Sequence, residues 1–239
     1  MTHIIIVGGV AGGATAASQL RRLNSDFKIT VYEKDRDVTF ANCGLPYYLG
    51  GIVHSRDELL NYTPEDFKAN KDIDAHVYHE VIGVNPQNKT VTVKNRTSGE
   101  TFEDSYDKLI LSPGCRANRL PLDTDMAFTL RNLEDTDAID QFIKHHDVKK
   151  VLIVGAGYIS LEVLENLHIN GLETVLIHRS EKVNKLMDQD MNHVIFDAMD
   201  ERNIDYRLNE EIDKVEGKTV HFKSCLLYTS PSPRDRQKS

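Results

Sequence analysis

The feature that most constrains this chain is a series of strand, glycine turn, helix and strand that occurs twice, at 3–33 and at 150–178. Two parallel strands need a crossover connection, which is usually a helix. Each series therefore predicts a βαβ unit, and the pair predicts an α/β fold with two Rossmann-like domains. The predicted strands are 3–7, 28–33, 150–154 and 174–178, and the predicted helices are 14–23 and 158–169.

Other parts of the chain have different patterns. Alternating apolar and polar residues indicate antiparallel strands, and a long polar stretch indicates a boundary between domains. The antiparallel strands are predicted at 73–84 and 89–95, a further strand at 106–111, the boundary within 114–149, and a hairpin at 212–223 with its turn at Gly217 and Lys218.

Composition excludes several classes of protein. Hydrophobic residues make up 40% and charged residues 28% of the chain, which is typical of a globular protein and unlike a disordered or fibrous one. The net charge is −8 without a basic cluster, so we expect neither nucleic acid nor an anionic membrane as a partner. The apolar run 4–17 is interrupted by glycines and lacks the features of a signal peptide, so we expect a cytoplasmic location.

The first glycine turn carries the signature of a dinucleotide site. Glycines there allow a tight turn and let a pyrophosphate approach the N-terminus of the following helix. Glu33 ends the second strand about 20 residues later, where a carboxylate accepts hydrogen bonds from ribose hydroxyls. The alternative is a glycine-rich turn that serves only helix packing. The predicted nucleotide-binding residues of this turn are Gly8, Gly9, Val10, Ala11, Gly12 and Gly13.

The second glycine turn differs at its third glycine position and at the end of its second strand. It has Gly155 and Gly157, with Ser160 as the third small residue. Its strand ends in His178 and Arg179 instead of a carboxylate. Arg179, together with Lys185, suits a 2′-phosphate, which favours NADP(H) over NAD(H). The alternative is that the two residues form a solvated strand end.

Two such units in tandem indicate a flavoprotein, with FAD in the first unit and NADPH in the second. The three cysteines are too few for a disulfide framework and favour a reducing compartment. Cys43 precedes a predicted short helix whose N-terminus favours a thiolate, whereas Cys115 is interpreted as a small buried apolar residue. No metal site is predicted.

Over residues 1–224 the chain resembles the pyridine nucleotide–disulfide oxidoreductases, and within them the coenzyme A disulfide reductase group. Beyond the glycine turn at 8–13, the resemblance rests on four segments. These are FANCGLPYY at 40–48, YDKLILSPG at 106–114, TLRNLEDTDAI at 129–139 and VGAGYISLE at 154–162.

The resemblance implies catalysis by a single redox cysteine. Dithiol members such as glutathione reductase have a second cysteine five positions on, where this chain has Tyr48. The implied reaction is reduction of coenzyme A disulfide by NADPH and FAD through a mixed disulfide between Cys43 and coenzyme A. The residues that match the family's substrate contacts are Thr15, Gln19, Arg22, Thr39, Asn42 and Lys71.

Three other functions stay open. An NADH oxidase or peroxidase cycles its cysteine through sulfenic acid, but such peroxidases carry a histidine where this chain has Val10 and commonly a serine where it has Asn42. A reductase of coenzyme A persulfide or polysulfide fits the same motifs. The third alternative is a non-catalytic nucleotide-binding fragment.

The resemblance also implies that the enzyme is longer than this chain. We predict a first FAD-binding segment at 1–113, an incomplete NADP-binding domain at 114–224, and truncation before the domain that forms a homodimer. Residues 225–239 are predicted to be non-native or disordered, because the peptide at 225–235 resembles a translated sequencing adapter. We therefore expect the 239-residue chain to bind FAD weakly and not to turn over.

Overall fold

The structure, a computed structural model, describes residues 1–184 and 186–224. Lys185 and the tail at 225–239, which includes Cys225, lie outside the described residues. In chain order the strands are β1 His3–Val7, β2 Lys28–Tyr32, β3 Asp74–His76, β4 His79–Asn85, β5 Thr90–Asn95, β6 Thr101–Ser105, β7 Lys108–Leu111, β8 Lys150–Val154, β9 Glu173–His178, β10 Asp205–Leu208, β11 Ile212–Glu216 and β12 Thr219–Phe222. The α-helices are α1 Ala11–Leu23, α2 Leu45–Leu49, α3 Pro64–Lys71, α4 Leu133–His145, α5 Tyr158–Ile169 and α6 Asn192–Glu201.

The chain divides into two compact units, each made of several segments. The first unit consists of Met1–Leu45, His54–Arg116 and Arg131–Glu134. The second consists of Pro46–Val53, Ala117–Leu130 and the described residues from Asp135 to Ser224.

The first unit contains a parallel sheet in the order β3-β2-β1-β7 and an antiparallel sheet in the order β4-β5-β6. Strand β1 is rich in β-branched residues, which favour strands, and it lies between β2 and β7. Its Ile5 pairs with Thr30 on one side and with Leu109 on the other. Helix α1 turns Gly13 and Ala17 towards the interior, one turn apart. Ala17 packs with Ile6 and other apolar residues in a buried core.

The second unit contains a parallel sheet in the order β10-β9-β8 and the antiparallel hairpin β11-β12. Leu164 and Leu167 of α5 pack with Ile153 of β8 and Leu176 of β9 in its core. Four consecutive residues of β9, Thr174–Ile177, are buried, so both faces of this strand are covered, as expected for parallel strands.

The predicted α/β fold with two Rossmann-like units is confirmed, and so is the hairpin, whose turn has Gly217 at φ +55°. The prediction for 73–84 was wrong in part, because β3 pairs in parallel with β2 while β4 pairs antiparallel with β5. Helix α4 lies inside the predicted boundary stretch. Strand β6, helices α3 and α6 and strand β10 were also missed. Among the described residues, no helix has the length and apolar character needed to cross a bilayer.

Candidate functional site

The first glycine turn is tightly enclosed by its own unit. Gly8 follows β1 at φ +95°, and a Cβ placed on it would lie 2.0 Å from the carbonyl oxygen of Ser112. A Cβ on Gly13 would lie 1.7 Å from the carbonyl oxygen of Gly8. Only glycine fits either position. Val10 is the N-cap residue of α1, and its side chain makes no capping hydrogen bond. The first backbone N–H groups of the helix are therefore uncapped by a side chain and can bind an anion.

Glu33 joins the end of β2 to this turn. The residue is buried, with only 5% of its surface exposed. One oxygen accepts a hydrogen bond from the Gly9 N–H at 2.8 Å, and the other accepts one from the Asp35 N–H at 3.0 Å. A carboxylate has about four acceptor positions, so the group retains capacity for ribose hydroxyls.

A cavity of about 350 Å³ lies at the carboxyl ends of β1 and β2 within the first unit. This is where nucleotides bind in open α/β sheets. Gly8 and Glu33, which the sequence assigned to one cofactor site, both line it. The cavity walls also include Lys34, Tyr32, His79, Glu80, Pro113, Gly114, Cys115 and Arg116.

Tyr32 is the aromatic residue of β2 that lines this cavity. Burial raises the pKa of Tyr32, and its hydroxyl donates a hydrogen bond to Asp104 at 2.8 Å, which raises that pKa further. The ring of His76 stacks on Tyr32 with centroids 5.4 Å apart. Desolvation, followed by the charge of His79, lowers the pKa of His76.

The second glycine turn also begins with a glycine at positive φ after a strand, but its backbone is less crowded by neighbouring atoms. Gly155 follows β8 at φ +102°, and its N–H donates to the carbonyl of Ile177 at 2.8 Å. Gly157 is the N-cap residue of α5, and a Cβ on it would meet nothing within 4 Å among the described residues. Ser160 lies beside the turn, with its Oγ 3.5 Å from the position of a Cβ on Gly155.

The end of β9 places His178 and Arg179 in different surroundings. The Nε2 of His178 lies 2.9 Å from the hydroxyl of Ser180, whereas Arg179 is exposed. The backbone N–H of Asn184 donates to the carbonyl of Ala156 at 2.8 Å and so connects the loop after β9 to the glycine turn.

Cys43 is exposed on a single helical turn, Asn42–Gly44, that leads directly into α2. The predicted short helix is therefore present. The chain before the thiol is held by a bridge between Phe40 and Leu60 and by a hydrogen bond from the Ala41 N–H to the Leu59 carbonyl at 2.9 Å.

Two predicted substrate residues flank Cys43 but differ in exposure. Thr39 is buried at φ +57°, and its hydroxyl donates to the Tyr62 carbonyl at 2.6 Å while accepting from the Tyr62 N–H at 2.8 Å. Its only hydroxyl proton is thus used within the protein. Asn42 is half-buried, and its amide satisfies both groups when the NH₂ donates to Phe40 and the oxygen accepts from Arg131.

Thr15, Gln19 and Arg22 lie together on one exposed face of α1, as the helical spacing predicted. The neighbouring Arg21 has a different environment, because its guanidinium donates to the carbonyls of Lys71 at 3.0 Å and Asp72 at 2.7 Å. Arg21 therefore connects α1 to the end of α3, whereas the side chain of Arg22 is exposed.

Lys71, the last predicted cation, ends α3. Its ammonium lies over the ring of Tyr62 at 5.7 Å from the centroid, within the range of a cation–π contact. The cation is thus partly oriented by the protein before any ligand binds.

The interpretation of Cys115 as a buried apolar residue was wrong. Cys115 is exposed and lines the cavity of the first unit, because it lies in irregular chain after β7 and not in a core strand. Among the described residues, no group of three or more His, Cys, Asp or Glu side chains is arranged to hold a metal ion.

Sequence reasoning missed two residues that organise this unit, Ser112 and Arg131. Ser112 lies over the first glycine turn, and Arg131 contacts Asn42 and the carbonyl of Cys115. Both belong to segments that carried the family resemblance, at 106–114 and 129–139. That resemblance was the available signal, but contacts so distant in sequence have no periodic signature.

The pyridine nucleotide-disulphide oxidoreductase family model matches residues 2–230. The coenzyme A disulfide reductase of Staphylococcus haemolyticus is 65% identical over 226 residues, which are 95% of this chain and 51% of that protein. The chain thus spans about half the length of the curated relatives it matches.

Solved structures agree with this similarity. Reduced CoADR-RHD of Bacillus anthracis has a TM-score of 0.91 at 36% identity, over 95% of this chain and 42% of that one. A NAD-dependent persulfide reductase from A. fulgidus has a TM-score of 0.88 at 27% identity, over 95% and 43% of the two chains.

Proposed function

Because the chain belongs to the pyridine nucleotide-disulphide oxidoreductase family, we propose that it is the nucleotide-binding part of an FAD- and NADPH-dependent enzyme that reduces coenzyme A disulfide through Cys43. The family membership indicated by the sequence motifs is confirmed by the family match, which implies FAD and a nicotinamide cofactor. The observation that carries the proposal is the exposed thiol of Cys43 on its anchored turn, with Tyr48 at the position of a second cysteine.

The first unit fits the adenosine end of FAD. Gly8 and Gly13 allow the tight turn that leads into α1, and the uncapped start of that helix offers N–H donors to a pyrophosphate. Glu33 would accept hydrogen bonds from the ribose hydroxyls inside the cavity. When bound, FAD supplies the electrons that cleave a disulfide on Cys43.

The second unit would hold NADPH at Gly155, Gly157 and Ser160. The preference for NADPH rests on the end of β9, where exposed Arg179 follows His178. A guanidinium there attracts the 2′-phosphate of NADPH, whereas the equivalent Glu33 of the first unit would repel it.

Cys43 would perform the exchange that consumes the substrate. Its thiolate attacks one sulfur of coenzyme A disulfide, a Cys43–sulfur bond forms, and the substrate's sulfur–sulfur bond breaks. The second coenzyme A leaves as a thiolate, and Cys43 is left as a mixed disulfide with the first. Tyr48 cannot resolve this disulfide internally, so reduction has to come from the cofactors.

Substrate recognition would use the exposed face of α1 and the end of α3. Arg22 suits a phosphate of coenzyme A, because a guanidinium binds phosphate through paired hydrogen bonds. Lys71 supplies a second positive charge, and Thr15, Gln19 and Asn42 supply polar contacts. In this proposal Thr39 holds the turn and does not contact substrate. A cytoplasmic homodimer of the longer enzyme completes the proposal.

The experiment is the reaction of the chain with coenzyme A disulfide, followed by intact mass and peptide mapping. We expect one coenzyme A per chain, removable by reductant and located on Cys43, and no adduct at that position in Cys43→Ser. Cys115, the other exposed thiol among the described residues, is mapped in the same digest as a reference. An adduct distributed equally over both thiols would contradict a dedicated redox role for Cys43.

Persulfide reduction is the second candidate, favoured by the similarity to the persulfide reductase structure. Reaction of coenzyme A persulfide with Cys43 at a rate well above that of the disulfide would favour it. Sulfenic acid on Cys43, with oxygen consumed by the longer enzyme, would favour the oxidase instead.

A further inference from the structure

We propose that Arg131 is the positioning residue for the Cys43 turn. This inference rests on the proposed redox role of Cys43. Arg131 begins a segment of four residues, Arg131–Glu134, that belongs to the first unit although the chain on both sides of it belongs to the second. The chain therefore returns to the first unit for one short contact, and Arg131 is the long cationic side chain of that contact.

The guanidinium of Arg131 engages two turns of the first unit. With the Asn42 amide in the orientation that pairs both of its groups, Nη1 of Arg131 donates to its oxygen at 2.9 Å, next to Cys43. Its Nε donates to the carbonyl of Cys115 at 3.2 Å, next to the cavity. One rigid group thus connects the turn that carries the proposed redox thiol with a wall of the proposed FAD cavity.

Gly114 makes this arrangement possible. It has φ +69°, and a Cβ placed on it would lie 2.9 Å from the Nη2 of Arg131. The Nη2 of Arg131 therefore lies close to Gly114, where a side chain at that position would crowd it, while its other nitrogens donate. A planar fork of five N–H donors satisfies several acceptors in fixed directions, whereas a lysine ammonium on a flexible stem holds fewer of them in place.

The segment around Arg131 is itself anchored. The side chain of Asn132 donates to Asp35 at 3.2 Å, and Leu133 is fully buried. The Asn132 hydrogen bond and the buried Leu133 hold the chain directly after Arg131, and its side chain extends to Asn42 from this anchored backbone.

The test compares Arg131→Lys, which keeps the charge and loses the fork, with Arg119→Lys, a matched change at an exposed arginine. Two quantities are measured for each protein. The first is the rate of exchange of Cys43 with coenzyme A disulfide. The second is hydrogen–deuterium exchange of the backbone at 41–45 and 113–116. The rate at which iodoacetamide alkylates Cys43 measures the reactivity of the thiol independently of how the substrate is oriented.

In Arg131→Lys we expect disulfide exchange at Cys43 to fall about tenfold, because a displaced turn misaligns the attacking sulfur. Alkylation should change less than twofold, since the thiol is already exposed, and deuterium uptake should rise in both turns. Asn42→Leu removes one of the two contacts, so it should raise uptake at 41–45 only. Arg131→Lys added to Asn42→Leu should then lower the exchange rate little further.

Each outcome decides a different statement. Unchanged deuterium uptake in Arg131→Lys overturns the inference, and so does raised uptake with an unchanged exchange rate. A rise in uptake throughout the chain, together with faster alkylation, would show general destabilisation and would equally overturn the positioning role. If the unsubstituted chain forms no coenzyme A adduct on Cys43, the proposed function fails, while deuterium uptake still decides whether Arg131 holds the two turns.

Discussion

The two glycine turns of this chain begin with the same backbone conformation but have their side chains at different positions. Gly8 and Gly155 both have φ near +100°, at +95° and +102°. At the N-cap of the following helix the first turn has Val10 and the second has Gly157. At the position where the first turn needs Gly13, the second has Ser160.

The crowding of the first turn has an identifiable source. Ser112 follows β7, the strand that pairs with β1, and its backbone lies against Gly8. In the described part of the second unit, β8 pairs only with β9 and has no strand on its other side. Ser112 thus accounts for the crowding at Gly8 and Gly12, whereas Gly13 is crowded by the carbonyl oxygen of Gly8 within the turn itself.

The ends of the second strands differ in a related way. Glu33 is buried and bound to the backbone of the first turn, whereas Arg179 is exposed. The first site is thus largely formed by its own unit, and the second presents its charge to solvent.

The largest effect is expected from Gly13→Ser, which introduces the residue type of the second turn into the first. The new Cβ would lie 1.7 Å from the Gly8 carbonyl oxygen, and backbone cannot move aside cheaply. We expect the free energy of unfolding to fall by about 3 kcal/mol or more, measured by urea denaturation.

The matched control is Ser160→Gly in the second turn, which removes a side chain from a roomier site. It should cost about 1 kcal/mol, mainly because glycine is unfavourable in a helix. Equal losses in the two variants would show that the turns are equally crowded and would remove the contrast.

An intermediate effect is expected from Glu33→Gln. The amide keeps one oxygen acceptor but turns an NH₂ towards a backbone N–H donor, either that of Gly9 or that of Asp35. The loss should be about 1–3 kcal/mol in the free energy of unfolding. The same measurement on Arg179→Gln, at the exposed strand end, should give a change within about 0.5 kcal/mol. A comparable loss in both would contradict the difference between the two strand ends.

A small effect on stability is expected from Gly157→Val, which introduces the residue of the first turn into the second. A Cβ at Gly157 meets nothing within 4 Å among the described residues, and its φ of −84° suits any residue. The cost should stay near 1 kcal/mol, because valine is a poorer N-cap than glycine. A loss as large as that of Gly13→Ser would mean that the second turn is packed as tightly as the first.

The regular parts of this fold were predictable because their signals are local. The β-branched run before each glycine turn and the spacing to Glu33 predicted both βαβ units. Helix α4 was missed because it lies within the polar stretch 114–149, which was interpreted as the region of a domain boundary. Strand β3 was assigned the wrong direction, because alternation does not distinguish a parallel from an antiparallel partner.

The candidate site was predictable to the level of residue types. Cys43 was identified by its motif, and Arg22 by helical spacing with two other polar residues. Thr39 and Cys115 had unexpected environments, since the first is buried against Tyr62 and the second is exposed at a cavity. Burial of a loop residue depends on which distant segment covers it, and that information is absent from its neighbours in the chain.

By itself, the sequence determined the two dinucleotide units, the glycines that begin their turns and the single cysteine in its motif. These depend on backbone conformation and periodicity, which neighbouring residues control. Only the tertiary structure decided that Ser112 crowds the first turn, that Thr39 is buried, and that Arg131 connects Asn42 to Cys115. Such contacts join residues far apart in the chain, and they exist only after the strands and helices have packed.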